Sequence, residues 1–221
     1  ISEALSTHEA DIAVHSLKDM SSAHFFGDHL FAVVDRDDTR DLAIFNPGIL
    51  DKISRGETII IGTCSPRREE MATVFLKKAL PQLKETIHIE TRPIRGNVES
   101  RLRKLDSGDY DATILATAGL NRLLRSPADS AMIQQLLANK KLMLLPLIEC
   151  VPAPCQGAIV AEAHPSNHRA ADILKAINNP MLLQDAIAEK RTAVQYGSGC
   201  LQQFGVTTIK TKQGACLFAA G

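Results

Sequence analysis

Short apolar runs typical of buried strands alternate with segments of helical periodicity, and this alternation constrains the fold more than any other feature. The stretch "ETIIIGTCSPRREEMATVFLKKALPQL" gives strand, loop and helix in turn, "IHIETRPI" adds a strand, and "DATILATAGLNRLL" is again strand then helix. Such alternation favours an α/β fold. The run "DIAVHS" is accordingly predicted to be a parallel strand that is buried on both faces.

Two segments suggest where the chain changes domain. The turn-rich "RDDTRD" at 36–41 reads as a hinge or crossover, and a return near residue 145 would give two doubly wound lobes. Ligands of such sheets bind outside the carboxyl ends of the strands, so the site is expected in a cleft between lobes. Towards the end, two helices broken near Asn178 to Pro180 precede an antiparallel sheet with a turn at Gln213-Gly214.

Composition excludes several classes of partner. Lys and Arg number 25, as do Asp and Glu, so no charge excess favours nucleic acid or a membrane surface. Aromatic residues make up 4% and Trp is absent, which argues against stacking of single-stranded nucleic acid. No run approaches the roughly 20 apolar residues of a membrane span. Five cysteines without a CxxC pair predict neither a disulfide framework nor a metal site, and favour a reducing cytoplasm.

The main chemical signal is the position of the arginines. Three successive predicted strands of one lobe are each followed by arginine, in "GTCSPRR", "RPIRGNVESR" and "ATAGLNR". If the strands are parallel, these guanidiniums face one cleft, where their forks match carboxylate or phosphate groups. A surface ion-pair network is the alternative explanation for any single arginine. The predicted polyanion site comprises Ser65, Arg67, Arg68, Arg95, Arg101 and Arg122.

Two further residues stand out. Asp19 follows the strand in "ADIAVHSLKDM", where it could hold a cation or transfer a proton, or serve as a helix N-cap or a salt-bridge partner of Lys18. Cys200 follows small residues in "YGSGC". A lone cysteine is by default an inert buried thiol, but an exposed loop favours an accessible one that serves as a nucleophile or a covalent attachment point. His15 is expected to be structural. The other cysteines, Cys64, Cys150, Cys155 and Cys216, are expected to fill the core.

Five motifs in register resemble the porphobilinogen deaminase (hydroxymethylbilane synthase) family: "ADIAVHSLKDM", "GTCSPRR", "IRGNVESRLRKLDSGDYDATILATAGLNR", "APCQGA" and "GSGC". The resemblance implies a cytoplasmic, monomeric transferase of tetrapyrrole and heme biosynthesis that joins four porphobilinogen molecules with loss of ammonia. It implies a dipyrromethane cofactor bound by a thioether to Cys200 and a catalytic Asp19. Cleft residues that would bind the cofactor and substrate carboxylates are Lys18, Ser65, Arg67, Arg68, Arg95, Arg101 and Arg122.

The resemblance also implies a domain plan of two periplasmic-binding-protein-like lobes and a small α+β cofactor domain. The first domain would span 1–36 and 151–176, the second 40–146 and the third 178–221. The chain opens within an amphipathic helix without Met and is expected to be truncated at both ends. Cys155 stands where the family usually has glycine. A non-enzymatic two-lobed anion-binding protein and an inactive paralogue remain alternatives.

Overall fold

The computed structural model describes residues 2–7, 9–83, 86–196 and 203–221. The strands are β1 Ala13–Ser16, β2 Leu30–Arg36, β3 Asp41–Phe45, β4 Ile59–Gly62, β5 Ile89–Arg92, β6 Ala112–Ala116, β7 Lys141–Leu144, β8 Ala158–Ala163, β9 Gly205–Thr211 and β10 Gly214–Ala220. The helices are α1 Ser2–Ser6, α2 Ser22–Phe25, α3 Ile49–Ser54, α4 Thr73–Ala79, α5 Val98–Asp106, α6 Thr117–Arg125, α7 Ser130–Leu137, α8 His168–Ile177 and α9 Pro180–Gln195. A 3-10 turn spans Leu17–Asp19, and a π-helical turn, Arg68–Ala72, precedes α4.

Compact packing divides the chain into two units. The first contains the described residues up to Thr39, then Ala153 to Tyr196 and Phe204 to Ala220, and the second contains Arg40–Pro152. The α/β class predicted from the sequence is confirmed, whereas the division into three domains stays a prediction. None of the helices within the described residues has the length and apolarity that crossing a membrane requires.

The first unit is built on a three-stranded sheet of order β1-β8-β2, with β8 antiparallel to both neighbours. The two sheet faces carry separate apolar clusters, one around Leu17, Phe25 and Val160 and the other around Ala161 and Leu174. Helices α8 and α9 are separated by Asn178 and Asn179, and the Asn178 side chain accepts from Val33 N–H. Strands β9 and β10 form an antiparallel hairpin. Both of these features were predicted.

The prediction for "DIAVHS" is wrong in two respects. β1 pairs antiparallel with β8, and Val14 is 65% exposed. The physical reason is its place in the described sheet, where β1 pairs with β8 alone and one face of it is open. An apolar run of four to six residues does not by itself distinguish a central strand from one with an open face.

The second unit has a five-stranded sheet of order β5-β4-β6-β3-β7. β4 is parallel to β5 and β6, while β3 is antiparallel to β6 and β7. Alternate residues of β3 enter different cores, with Ala43 and Phe45 on the face covered by α3 and α4, and Leu42 and Ile44 on the face covered by α5, α6 and α7. Burial on both faces explains why this short strand is almost wholly apolar after its first residue, Asp41.

Candidate functional site

The strand ends of the second unit bring the predicted anion-binding segments to one edge. Because β4 is parallel to both β5 and β6, the three strands end at the same edge of the sheet. The loops after β4 and β5 lie side by side, since Thr63 N–H donates to Arg92 O over 3.0 Å and Cys64 Sγ lies 3.2 Å from Ile94 O. The parallel arrangement that the sequence interpretation required is therefore present.

Arg101 occupies the first turns of α5, directly above the loop that holds Arg95. Its Nε donates to Gly96 O over 2.8 Å, and Lys104 Nζ donates to Arg95 O over 2.9 Å. Burial, followed by the nearby Arg68 guanidinium, lowers the pKa of Arg101, while Cys64 acts in the opposite sense. The Arg95 side chain is exposed, and Ser65 is half-buried in the neighbouring loop. This edge of the sheet thus concentrates positive charge.

Arg67 and Arg68 lie in the interior, where both pair with Asp41. Arg67 Nη2 donates to Asp41 Oδ2 and Arg68 Nη2 to Asp41 Oδ1, each over 2.7 Å, and the carboxylate is 1% exposed. Arg67 Nη1 also donates to Val151 O, and Arg68 Nη1 to Ile114 O. Since two cations share one anion, the trio retains a net positive charge.

The electrostatics of Asp41 follow from this geometry. Burial alone would raise the pKa of the carboxyl, but attraction from Arg68 and Arg67 and their hydrogen bonds outweigh it and hold the pKa well below its usual range. Sequence reasoning missed Asp41 and assigned "RDDTRD" to a hinge. The available signal was the carboxylate of Asp41 at the start of "DLAIF", a strand whose other residues are all apolar. Such a strand is expected to be buried, and a buried acid requires a partner.

Arg122 lies in the last turn of α6, the helix that begins directly after β6. Its side chain is half-buried and interacts with other groups of the protein. The sequence placed it just beyond the strand, but the helix carries it away from the strand end by about 1.5 Å per residue. It therefore belongs to the same unit as the other arginines without sharing their loop.

In the first unit, Asp19 is an exposed residue at the end of the 3-10 turn that follows β1. Leu17 and Met20 are both buried on either side, which fixes the turn to the core. Asp19 does not cap α2, because Ser21 is its N-cap and Ser21 Oγ accepts from His24 N–H over 3.1 Å. Lys18 is half-buried and has interactions of its own. The buried Leu17 and Met20 therefore fix the turn that places the carboxylate of Asp19 at the surface.

The cysteines divide differently from the prediction. Cys150 and Cys155 are buried, as expected, but Cys64 and Cys216 are exposed, so their assignment to the core was wrong. Cys64 belongs to the loop after β4, and Cys216 to the hairpin strand β10, whose residues are largely exposed. Cys200, the predicted attachment point, lies outside the described residues.

The sequence matches one family over most of its length. The profile described as "Porphobilinogen deaminase, dipyromethane cofactor binding domain" matches residues 1–172. The probable porphobilinogen deaminase of Methanocaldococcus jannaschii is 34% identical over 206 residues, 93% of this chain and 62% of that protein. The porphobilinogen deaminase of Nitrosomonas europaea is 34% identical over 203 residues, 91% of this chain and 58% of that protein. The chain thus spans about 60% of the length of these relatives.

Solved structures give weaker likenesses. The probable amino-acid ABC transporter extracellular-binding protein ytmK from Bacillus subtilis is 15% identical, and the alignment covers 89% of this chain and 75% of that one with a TM-score of 0.42. The family assignment depends on the sequence matches alone. With the profile covering residues 1–172 of 221 and relatives at 34% identity, the chain belongs to the porphobilinogen deaminase family.

Proposed function

We propose that the full-length protein is a transferase that joins four porphobilinogen molecules with release of ammonia, giving hydroxymethylbilane. The observation that carries this proposal is the edge at which β4, β5 and β6 end, where the loop that holds Ser65 lies beside the loop that holds Arg95, and Arg101 donates to that second loop. Each pyrrole unit bears an acetate and a propionate, so a growing chain is a polycarboxylate. Guanidinium groups bind carboxylates with paired, charge-assisted hydrogen bonds, which suits this substrate class.

The residues fit a dipyrromethane cofactor by their donor chemistry. Arg95, Arg101 and Ser65 offer guanidinium and hydroxyl donors to its carboxylates, with Lys18 and Arg122 as further cations. Arg67 and Arg68 act mainly through Asp41, because each already donates to that buried carboxylate. Cys200 would hold the group through a thioether. When bound, the cofactor supplies the pyrrole to which the first substrate molecule is joined.

Asp19 is our candidate for the proton-handling group. An exposed carboxylate on a turn anchored by buried Leu17 and Met20 is accessible to substrate yet fixed in position. Such a group can accept a pyrrole N–H, stabilise positive charge as it develops, and carry a proton to the departing amine. We further propose a cytoplasmic monomer with the domains 1–36 and 151–176, 40–146, and 178–221, whose partner is the small-molecule substrate.

Intact mass spectrometry of the purified full-length protein tests this function. We expect a mass excess equal to two pyrrole units, which is lost in Cys200→Ser and retained in Cys216→Ser, a matched control at an exposed thiol. Incubation with porphobilinogen should then add further pyrrole units and release ammonia. Unmodified protein that binds anions would favour the non-enzymatic alternative, and loaded protein without turnover would favour an inactive paralogue.

A further inference from the structure

Three histidines surround one buried glutamate in the first unit. Glu162 lies in β8, the central strand of its sheet, and is 1% exposed. Its Oε2 is 2.6 Å from His24 Nε2, and its Oε1 is 3.3 Å from His15 Nε2. The ring centroids of His24 and His29 are 4.3 Å apart. The four side chains come from β1, α2, the turn before β2, and β8.

This cluster has unused coordinating capacity. His29 Nδ1 is a buried nitrogen that finds no hydrogen-bond partner among the described residues, and His15 Nε2 reaches Glu162 Oε1 only as an ion pair of 3.3 Å without hydrogen-bond geometry. Buried polar atoms of this kind are rare and call for a missing partner. One ligand atom from each of His24, His29 and Glu162 lies within 4.8 Å of the other two. Small side-chain rotations would bring them to the roughly 3.3 Å separation that bonds of about 2.0 Å impose in a tetrahedron.

The donor set selects a class of ion. Two imidazoles and one carboxylate form a common three-ligand set for Zn²⁺, which leaves a fourth position for water or another side chain. Mg²⁺ and Ca²⁺ prefer sites made only of oxygen ligands, so a site with two imidazole ligands is unfavourable for both ions. We propose that His24, His29 and Glu162 form a binding site for a zinc-like divalent transition metal. His15 lies against the same carboxylate, with its Nε2 3.3 Å from Glu162 Oε1.

The sequence did not predict this site, because its ligands lack a zinc-motif spacing. His15, His24 and His29 are irregularly spaced, and Glu162 joins them only through the pairing of β8 with β1 and β2. The alternative is a metal-free cluster held by the hydrogen bond between His24 and Glu162. That alternative leaves the buried Nδ1 of His29 without a hydrogen-bond partner among the described residues. A bound metal would connect α2 and the turn before β2 to the central strand.

Co²⁺ is the probe of choice, because its absorption distinguishes nitrogen and oxygen ligands from thiolates. The full chain with Cys64→Ser, Cys200→Ser and Cys216→Ser is titrated with CoCl₂, and ZnCl₂ is then used as the competitor. These substitutions remove the two thiols that are exposed within the described residues and the proposed attachment thiol. We expect one equivalent to bind with visible d–d bands and without a thiolate charge-transfer band. The thermal unfolding midpoint should rise with ZnCl₂ and stay unchanged with MgCl₂.

His29→Gln and Glu162→Gln should each weaken Co²⁺ binding by at least about tenfold, the loss typical of even an outer-shell partner. His168→Gln, at an exposed position in the first turn of α8, is the matched control and should bind as before. His29→Gln keeps the test valid if the buried Glu162 variant does not fold. Binding that is absent, or that survives His29→Gln in a folded protein, would overturn the proposal and leave a hydrogen-bonded cluster.

Discussion

Cys155 donates its backbone N–H to Glu189 Oε2 over 2.7 Å while it holds a left-handed φ of 59°. Glu189 is fully buried, and it also pairs with Arg36 through two bonds of 2.7 and 3.0 Å and accepts from Thr208 N–H. Burial, together with this carboxylate, raises the pKa of the Cys155 thiol to about 12. The turn is therefore fixed by a buried network that imposes a conformation suited to glycine.

Cys155→Gly should give a more stable protein than Cys155→Ala, by about 1 kcal/mol. A left-handed residue with a Cβ carries a steric cost of roughly 1–2 kcal/mol, which glycine avoids. Both variants lose the buried thiol, so their comparison isolates the backbone effect. Urea denaturation measures both free energies of unfolding.

The matched control is Ala188→Gly, at an exposed position within α9, where glycine should destabilise by about 1 kcal/mol. A Cys155→Ala protein at least as stable as Cys155→Gly would contradict the predicted strain.

Cys155 shows how far the sequence could lead. The family resemblance drew attention to this position in "APCQGA", but the left-handed φ that favours glycine there required the fold. Local patterns predicted the α/β class, the break between α8 and α9, and the parallel strands that bring the loops of Ser65 and Arg95 side by side. They could not predict that Asp41 would hold Arg67 and Arg68, because that contact depends on burial and on strand order. Nor could local patterns predict that Glu162 would lie 2.6 Å from His24.

Asp41→Asn should destabilise the protein at pH 7 by about 3–5 kcal/mol, because it leaves two buried guanidiniums without their anion. The lowered pKa of Asp41 makes this contribution dependent on pH. The stabilisation is complete above the unfolded pKa, about 4, and is lost as the pH falls towards the folded pKa. The difference in the free energy of unfolding between wild type and Asp41→Asn should therefore decrease by roughly 1 kcal/mol as the pH falls from 5 to 3.

Urea denaturation at several pH values measures that difference. Glu57→Gln is the control, because Glu57 pairs with Arg55 at the exposed surface, and it should leave the free energy of unfolding unchanged within error. If the free energies of unfolding of wild type and Asp41→Asn differ by the same amount at pH 5 and at pH 3, the Asp41 carboxyl does not have the lowered pKa inferred here.

Arg101→Ala in the full-length protein should lower kcat/KM for porphobilinogen by about 10- to 100-fold. The expected loss is one charge-assisted interaction with a carboxylate, about 1.5–3 kcal/mol. Elongation should stop at an intermediate, visible as discrete masses of protein with too few added pyrrole units. Arg103→Ala is the matched control on the same helix, since its exposed side chain pairs with Glu99 one turn away. Equal effects of the two substitutions would count against a specific role for Arg101.

Asp19→Asn in the full-length protein should lower kcat by at least about 100-fold while the covalently bound mass excess persists. The amide keeps the size and position of the side chain but cannot accept or carry a proton as a carboxylate does. Single-turnover assays with porphobilinogen measure the chemical step, and intact mass measures loading. Asp28→Asn, at another exposed position of the first unit, serves as the control. A kcat within twofold of wild type for Asp19→Asn would remove this residue from the mechanism.

Gly157→Ala should destabilise the protein by about 2–5 kcal/mol. Its φ is +86°, and an added Cβ would lie 2.5 Å from Asp37 O, a backbone atom that cannot rotate away. The same contact region includes the hydrogen bond from Asp37 N–H to Gly157 O, so a shift of either segment would disturb the link between β2 and the turn before β8. The expected cost combines left-handed strain of roughly 1–2 kcal/mol with overpacking of roughly 1–3 kcal/mol.

Gly108→Ala separates these two contributions. Gly108 has a nearly identical φ of +83°, but an added Cβ there would meet nothing within 4 Å. We therefore expect Gly108→Ala to show the backbone strain alone, about 1–2 kcal/mol, because no steric contact is added. Urea denaturation of both variants gives the overpacking contribution by difference. Equal losses at the two positions would mean that the segment around Asp37 moves freely, and that the close approach at Gly157 does not hold β2 to this turn.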